Sequence, residues 1–397
     1  CPICPKCISI NCFCLCCNKE IIYFLNESTA DIQLEAARTV RETVGKGRLV
    51  FSFFCYLTTC MCDYNAGGCG RSGHLAMEKV MASPDIDVFT SPIGYHDRRI
   101  GGMAYAQACA ESLMKRGKLY LSEDDSPTHL AELKPAKYPP LGNGQGWLAK
   151  DAEESLLILR RNLATMYCCN YPIWWMDIHG SGWFDDPKLW PEMSRFRATE
   201  RRLMANPRPF EPEVALAMDV GSRRFVYGQG TGYRLLFQSN IRMAMNLGHT
   251  GTPYGHYLAD DVLAGLFPKV KFAVFNDSYA MTSAKRREMR RYADGHSCLW
   301  LYAPGYIDLD SGEFSASAVA EATGFEVEVL KDVCFGYVFD NEILKRLGVP
   351  PITGPQWQDD SKDRSFPDTV YFSPVPREDD LVLARYANGN KTAIVIR

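Results

Sequence analysis

No stretch of this chain approaches the ~20 consecutive apolar residues that a membrane-spanning helix requires. The longest candidate, Leu49 to Leu57, has the length of a buried strand. Charge of one sign is lacking too: 44 basic against 47 acidic residues leave a formal net charge of −3. That balance, with no long single-sign block, points to no nucleic acid and no membrane as partner. The N-terminal residues are rich in cysteine rather than basic and then apolar, so they do not read as a signal peptide. The first residue is Cys1 rather than Met, which suggests a fragment or a processed product. The compartment stays open.

A second zinc knuckle is missing as well. Seven of the 16 cysteines lie in the first 17 residues. The opening Cys-Pro-Ile-Cys has the C-x2-C spacing of tetrahedral thiolate ligation, but the following CFCLCC has the wrong spacings to complete a site. Residues 1–20 therefore read as an unstructured Cys-rich leader, with no metal and no cofactor expected. A disulfide scaffold is not expected in a chain of 397 residues. What is present is globular: 46% hydrophobic and 23% charged residues exclude general disorder, and the length calls for two or three domains.

From about Glu20 strands and helices alternate. Ile32, Ala36, Val40 and Val44 recur at i+4 on one helical face, with Ser28 and Asp31 as an N-terminal capping pair and Gly45 and Gly47 as the stop. Strands are expected at Arg48–Tyr56, Asp87–Thr90, Lys118–Ser122 and Pro172–Ile178, and helices at His74–Met81, Ala104–Arg116 and Asp151–Thr165. Successive strand–helix units of this kind form an α/β sheet or barrel, with ligands at the C-terminal strand ends. After the linker Pro207–Pro212 a second, doubly wound α/β unit is expected, with strands Glu213–Asp219, Lys269–Asn276 and Cys298–Ala303 and helices Tyr233–Leu247 and Ser283–Asp294. The basic clusters Arg195–Arg202 and Lys285–Arg291 read as solvated helix faces. The alternation around Asn388-Gly389 reads as a β-hairpin.

Two segments could carry chemistry. Lys118–Asp125 ends in Glu123, Asp124 and Asp125; three adjacent carboxylates repel one another, so some need a partner or hold their protons. Trp174–Asp185 combines Trp174, Trp175, Asp177, His179 and Trp183 with glycines that let a ligand approach the backbone. Trp faces can stack on a sugar ring while Asp and His bond its hydroxyls. Neighbouring Trp174 and Trp175 must point to opposite sides of their strand, so one of them belongs to a core.

The segments GRSGHLAMEKVMASPDIDVFTSPIGYHDRRIGG, GKLYLSEDDSPTHL and WWMDIHGSGWFDDPKLW resemble consecutive parts of β-galactosidase-like proteins of glycoside hydrolase family 42, in a divergent branch of that family. EVALAMD, YLADDVL, KFAVFND, LWLYAPGYID and EATGF resemble the trimerisation domain that follows the barrel there. The resemblance implies the C-terminal half of a (β/α)8 barrel over 21–206, a flavodoxin-like trimerisation domain over 207–370, and the start of a small β-domain over 371–397. It further implies a homotrimer acting on an oligosaccharide or other glycoside, with two carboxyl groups about 5–5.5 Å apart for retaining hydrolysis.

In that clan the nucleophile ends the seventh strand and the acid/base the fourth. With the Trp-bearing strand as the eighth, KLYLSEDD is the seventh, and Glu123 becomes the candidate nucleophile, with Asp124 or Asp125 in reserve. Tyr95, Arg98, Asp125, Asp177, His179 and Trp183 become the candidate substrate-binding residues. Strands one to four have no counterpart before Glu20, so the acid/base is missing and the chain alone is expected to be nearly inactive. Ser126-Pro127-Thr128 stands where the branch has an Arg-Thr pair, so an arginine that could hold the acidic cluster is expected to be missing. The alternative is a non-catalytic carbohydrate-binding or oligomerisation module. A Ser278-based enzyme in the second α/β unit lacks an identifiable base.

Overall fold

The structure is a computed structural model describing residues 19–56, 72–131, 148–178, 180–226, 235–330, 336–353, 370–387 and 390–397. Residues 1–18 of the Cys-rich leader, His179 and the Asn388-Gly389 turn lie outside the described residues. The first unit is a four-stranded sheet, β1 (Phe51–Phe53), β2 (Val88–Pro92), β3 (Leu119–Asp124) and β4 (Ile173–Trp175), ordered as in the chain. Every pairing in it is parallel. Its helices are α1 (Lys19–Val44), α2 (Met77–Met81), α3 (Ala110–Lys115), α4 (Ala152–Cys168) and α5 (Leu189–Ala205). The four strand windows expected from the sequence are thus all strands, in a mixed α/β fold of partial barrel type.

Parallel register puts partnered residues on one face of the sheet. Ser52, Phe89 and Tyr120 are partners across β1, β2 and β3 and are buried under helices. Gln33 of α1 donates to Ser52 Oγ at 2.6 Å on that side. On the opposite face Phe51 and Phe53 of β1 and Leu119 of β3 are each at least half exposed. The sheet is therefore covered on one side and open along part of the other.

α1 starts earlier than its supposed cap. It begins at Lys19, and Ser28 and Asp31 lie within it; Thr29 bonds back to the Leu25 carbonyl, as an internal residue does. Arg41 of α1 pairs with Asp87, whose carboxylate also accepts the Val50 N–H at 2.8 Å, tying the helix to the entry of β1 and β2.

The second unit is a parallel sheet ordered β6-β5-β7-β9, comprising β5 (Val214–Met218), β6 (Tyr254–Leu258), β7 (Phe272–Phe275) and β9 (Cys298–Trp300). Sequence reading missed β6, because a five-residue run with Gly255 at its second position shows no alternation. β5 is buried on both faces: Leu216 and Met218 join the core shared with the first unit, while Ala217 joins a separate cluster with Ala273, Phe275 and Met289. In such sheets ligands bind where the strand order reverses. Here that position is filled by the chain itself. Arg223, from the short helix α6 (Val220–Arg223), donates to Asp277 at 2.6 Å with both side chains fully buried, and also reaches Asn240.

The basic cluster of the helix Ser283–Ala293 is not a solvated face throughout. Lys285 and Arg286 are buried; Lys285 pairs with Asp219 at 2.8 Å and Asp260 at 2.6 Å, and Arg286 with Glu321 at 2.7 Å and Asp308 at 3.0 Å. Only its later arginines, Arg290 and Arg291, pair along the helix surface. Three small sheets complete the chain. They are β8 (Ala280–Met281) with β10 (Ile307–Asp308) and β11 (Glu313–Phe314); β12 (Val327–Leu330) with β14 (Tyr371–Pro374); and β13 (Tyr337–Phe339) with β15 (Leu381–Tyr386) and β16 (Thr392–Ile396). β15 and β16 form the expected antiparallel hairpin.

The two parallel units meet where α3 lies against the edge strand β6. Glu111 accepts the His256 N–H at 2.5 Å and the Tyr171 hydroxyl; Ser112 Oγ accepts the Leu258 N–H at 2.8 Å. Helical side chains thereby satisfy backbone donors that an edge strand otherwise leaves open. At Gly255 a Cβ would stand 2.9 Å from the Tyr257 ring and 3.0 Å from the Glu111 side chain, so these side chains would have to shift to admit one. Burial raises the Glu111 carboxyl to about 7, against the opposing pull of the Tyr171 and His256 bonds.

A folded-state value above the ordinary 4.5 means that Glu111 stabilises the fold fully below about 4.5, and that this contribution is lost as pH rises through about 7. Urea midpoints measured across this range should fall with rising pH, and Glu111→Gln should remove its share of the slope. An unchanged slope in the variant would contradict the assignment.

Candidate active site

The C-terminal ends of β2 and β3 bring Tyr95, Arg98, Glu123 and Asp125 together, and the pleat of β3 sorts its three carboxylates. Pro92, Glu123 and Trp174 are register partners, so Glu123 and Trp174 share the partly open face. Trp174 Nε1 donates to Thr90 Oγ1 at 3.4 Å, and its ring meets Phe53 edge-on at 6.2 Å. Asp124 pairs with Trp175 in register and points to the helix side. There Trp175 packs against Phe196 of α5. Trp175 is thus the core tryptophan of the pair, and Trp174 the one facing Glu123.

Asp124 is fully buried and held by α4: Asn162 Nδ2 donates to both carboxylate oxygens at 3.1 Å and to Ser126 Oγ at 3.1 Å. Burial still raises its pKa, with the Ser126 and Asn162 bonds working against the shift. Asn162 escaped sequence reading, yet a signal was there. It sits among Ile158, Leu159, Leu163 and Met166 on the buried stripe of α4, where a polar side chain needs a partner.

Asp125 is neutralised by an arginine from outside its own segment. Arg98, on the loop after β2, donates through Nη2 to Asp125 Oδ1 at 2.6 Å and to the Ile93 carbonyl at 2.7 Å. Its Nη1 reaches the Asp125 carbonyl at 3.2 Å and its Nε the Gly94 carbonyl at 2.9 Å. The expectation that no arginine holds the acidic cluster is corrected by this pair, both of whose side chains are buried. Sequence distance hid it, since 27 residues separate the partners. The guanidinium also lies 4.5 Å over the Tyr95 ring. Tyr95 is held strongly protonated, first by burial and then by the charge of Asp125.

Glu123 remains. It is 3% exposed, and its Oε2 has no hydrogen-bond partner among the described residues. Burial, then the neighbouring charge of Asp125, raises it to about 7, while Arg98 draws it back. A buried carboxyl poised near neutrality beside an aromatic wall can ionise and attack, or hold a proton for transfer. The partly buried His96 is lowered to about 4, by desolvation and by Arg98, so it is neutral at pH 7.

The β4 side contributes differently from expectation. Asp177 accepts the N–H groups of Gly182 at 2.5 Å and Trp183 at 2.9 Å, organising a turn in which Gly180 and Gly182 take left-handed φ of 58° and 85°. Trp183 is 3% exposed and packs in the hydrophobic core, with its carbonyl accepting from Thr128. The tryptophan on the Glu123 side of this wall is the partly buried Trp174.

No family model matches this sequence, and no curated relative matches it either. Among solved structures it is similar to the cold-adapted β-galactosidase of Rahnella sp. R3, with 13% identity over 79% of this chain and a TM-score of 0.48. The chain spans 46% of that enzyme's length. It is also similar to the β-galactosidase of the psychrophile Marinomonas ef1, with 9% identity, 81% of this chain, 54% of that one and a TM-score of 0.40. For the β-galactosidase of Bifidobacterium adolescentis the figures are 14%, 45%, 79% and 0.23. With every TM-score below 0.5 the likeness carries no argument, and the fold and site residues are weighed on their own geometry.

Asn162→Ala strips the buried Asp124 carboxylate of one of its donors, leaving Ser126, and should destabilise the fold by about 1–3 kcal/mol. Urea denaturation of the variant measures this; an unchanged midpoint would show that Asp124 is held by other means.

Proposed function

We propose that this chain carries the nucleophile-bearing half of a retaining glycoside hydrolase site acting on β-galactosides or related glycosides. The observation that supports it best is the division of labour at the β3 tip. Asp124 is committed to Asn162 and Asp125 to Arg98, while the Glu123 Oε2 is left unpartnered on the face that Trp174 shares. Attack by the ionised Glu123 on the anomeric carbon forms a glycosyl ester and expels the aglycone, which an ordinary substrate releases only with a proton from a second carboxyl. None of the described strand ends is assigned that second role, and the chain alone is proposed to be impaired for this reason. A homotrimer built through the second α/β unit belongs to the same proposal.

A nucleophile needs no proton donor when the leaving group is already a good one. A 2,4-dinitrophenyl 2-deoxy-2-fluoro-β-galactoside should therefore label the intact chain once, by ester formation at Glu123 with release of dinitrophenolate. The rate should rise with pH through about 7, as Glu123 ionises. Peptide mass spectrometry locates the ester. Absence of label, or a label that persists in Glu123→Gln, would remove the catalytic reading. The exposed apolar side chains Phe51, Phe53 and Leu119 would then favour the second reading, a non-catalytic assembly module.

A further inference from the structure

The loop between β2 and α3 that carries Arg98 is fastened from outside its own unit. Asp97 is 6% exposed and takes a left-handed φ of 64°, a conformation that a non-glycine side chain keeps only where its surroundings enforce it. Its Oδ2 accepts the Met103 N–H at 3.2 Å, closing the loop on itself. The same oxygen accepts a hydrogen bond from His249 Nε2 at 2.6 Å. His249 ends the helix Met243–His249 of the second α/β unit. The preceding residue, Gly248, lies so close to the loop that a Cβ would fall 1.9 Å from Met103 Cε. From the other side Arg161 of α4 donates to the Arg98 and Arg99 carbonyls at 3.0 and 2.7 Å. Arg99 Nε stands 3.7 Å from the second Asp97 oxygen. These contacts hold the backbone on both sides of residue 98, and the Arg98 guanidinium meets Asp125.

We propose that His249 is a positioning residue for the acidic site, acting through Asp97 on the loop that presents Arg98 to Asp125. The second α/β unit thereby sets the charge around Glu123, whose charged neighbours are Arg98, Asp124 and Asp125. The catalytic importance of Glu123 rests on the function proposed above; the positioning is a property of the resting protein and is measured without turnover.

Carboxyl carbons of the full chain labelled with [13Cδ]glutamate report each titration by NMR, with Glu123→Gln and Glu111→Gln assigning the two signals. His249 is half-exposed, so His249→Ala removes the contact without opening a core. That variant should raise the Glu123 midpoint by roughly half a pH unit or more, because Arg98 loses its fixed approach. His249→Gln, which keeps a side-chain N–H donor, should restore it. Glu111, bound to Tyr171 and His256, should not move. An unchanged or lowered Glu123 midpoint, a shift shared by Glu111, or a shift that Gln does not restore would each overturn the proposal. Failure of the fluoro-sugar label alongside the expected titration shift would remove the hydrolase reading and leave the positioning intact.

Discussion

The period-two alternation of a single strand governs this structure. Successive side chains of β3 point to opposite faces, so Glu123 and Asp124 cannot share an environment although they are adjacent in sequence. One enters the helix layer and becomes a structural acceptor for Asn162; the other is left on the face that helices do not cover. Asp125, past the strand end, is then free to turn toward the β2 loop and take Arg98. Three like charges in a row would otherwise repel one another in a buried place. The alternation and two partners from distant segments resolve that conflict and concentrate the remaining proton affinity on one carboxyl.

The second constraint is the junction of the two parallel sheets. An edge strand with open donors needs a cover, and α3 supplies it with polar side chains rather than with another strand. The buried Glu111 at this junction and the Asp97–His249 contact above it fasten the units at two heights. Geometry at the rim therefore depends on residues of both units. The second sheet fills its own switch point with Arg223 and Asp277, whereas at the β3 tip of the first sheet the Glu123 Oε2 has no hydrogen-bond partner among the described residues.

Local order was legible where hydrophobic patterning is strong. The apolar runs around Phe51, Phe89, Tyr120 and Ile173 fell on real strands, and Asp151 caps α4 by accepting the Glu154 N–H at 2.9 Å. The opposed faces of Trp174 and Trp175 followed from strand geometry alone. Pairings across long sequence distance were not legible: nothing near Asp125 announces Arg98, and nothing near Lys285 announces Asp219. Trp183 illustrates a different limit. Its glycine- and aspartate-rich surroundings look like a ligand loop, yet Asp177 uses its carboxylate to fold that loop and the indole goes to the core.

A crystallographic map resolving the β3 tip tests the central claim most directly. Asp124 is expected against Asn162, Asp125 against Arg98, and the Glu123 carboxyl on the Trp174 side without a side-chain partner. Density placing Glu123 on Arg98, or turning Trp174 into the helix layer, would contradict it.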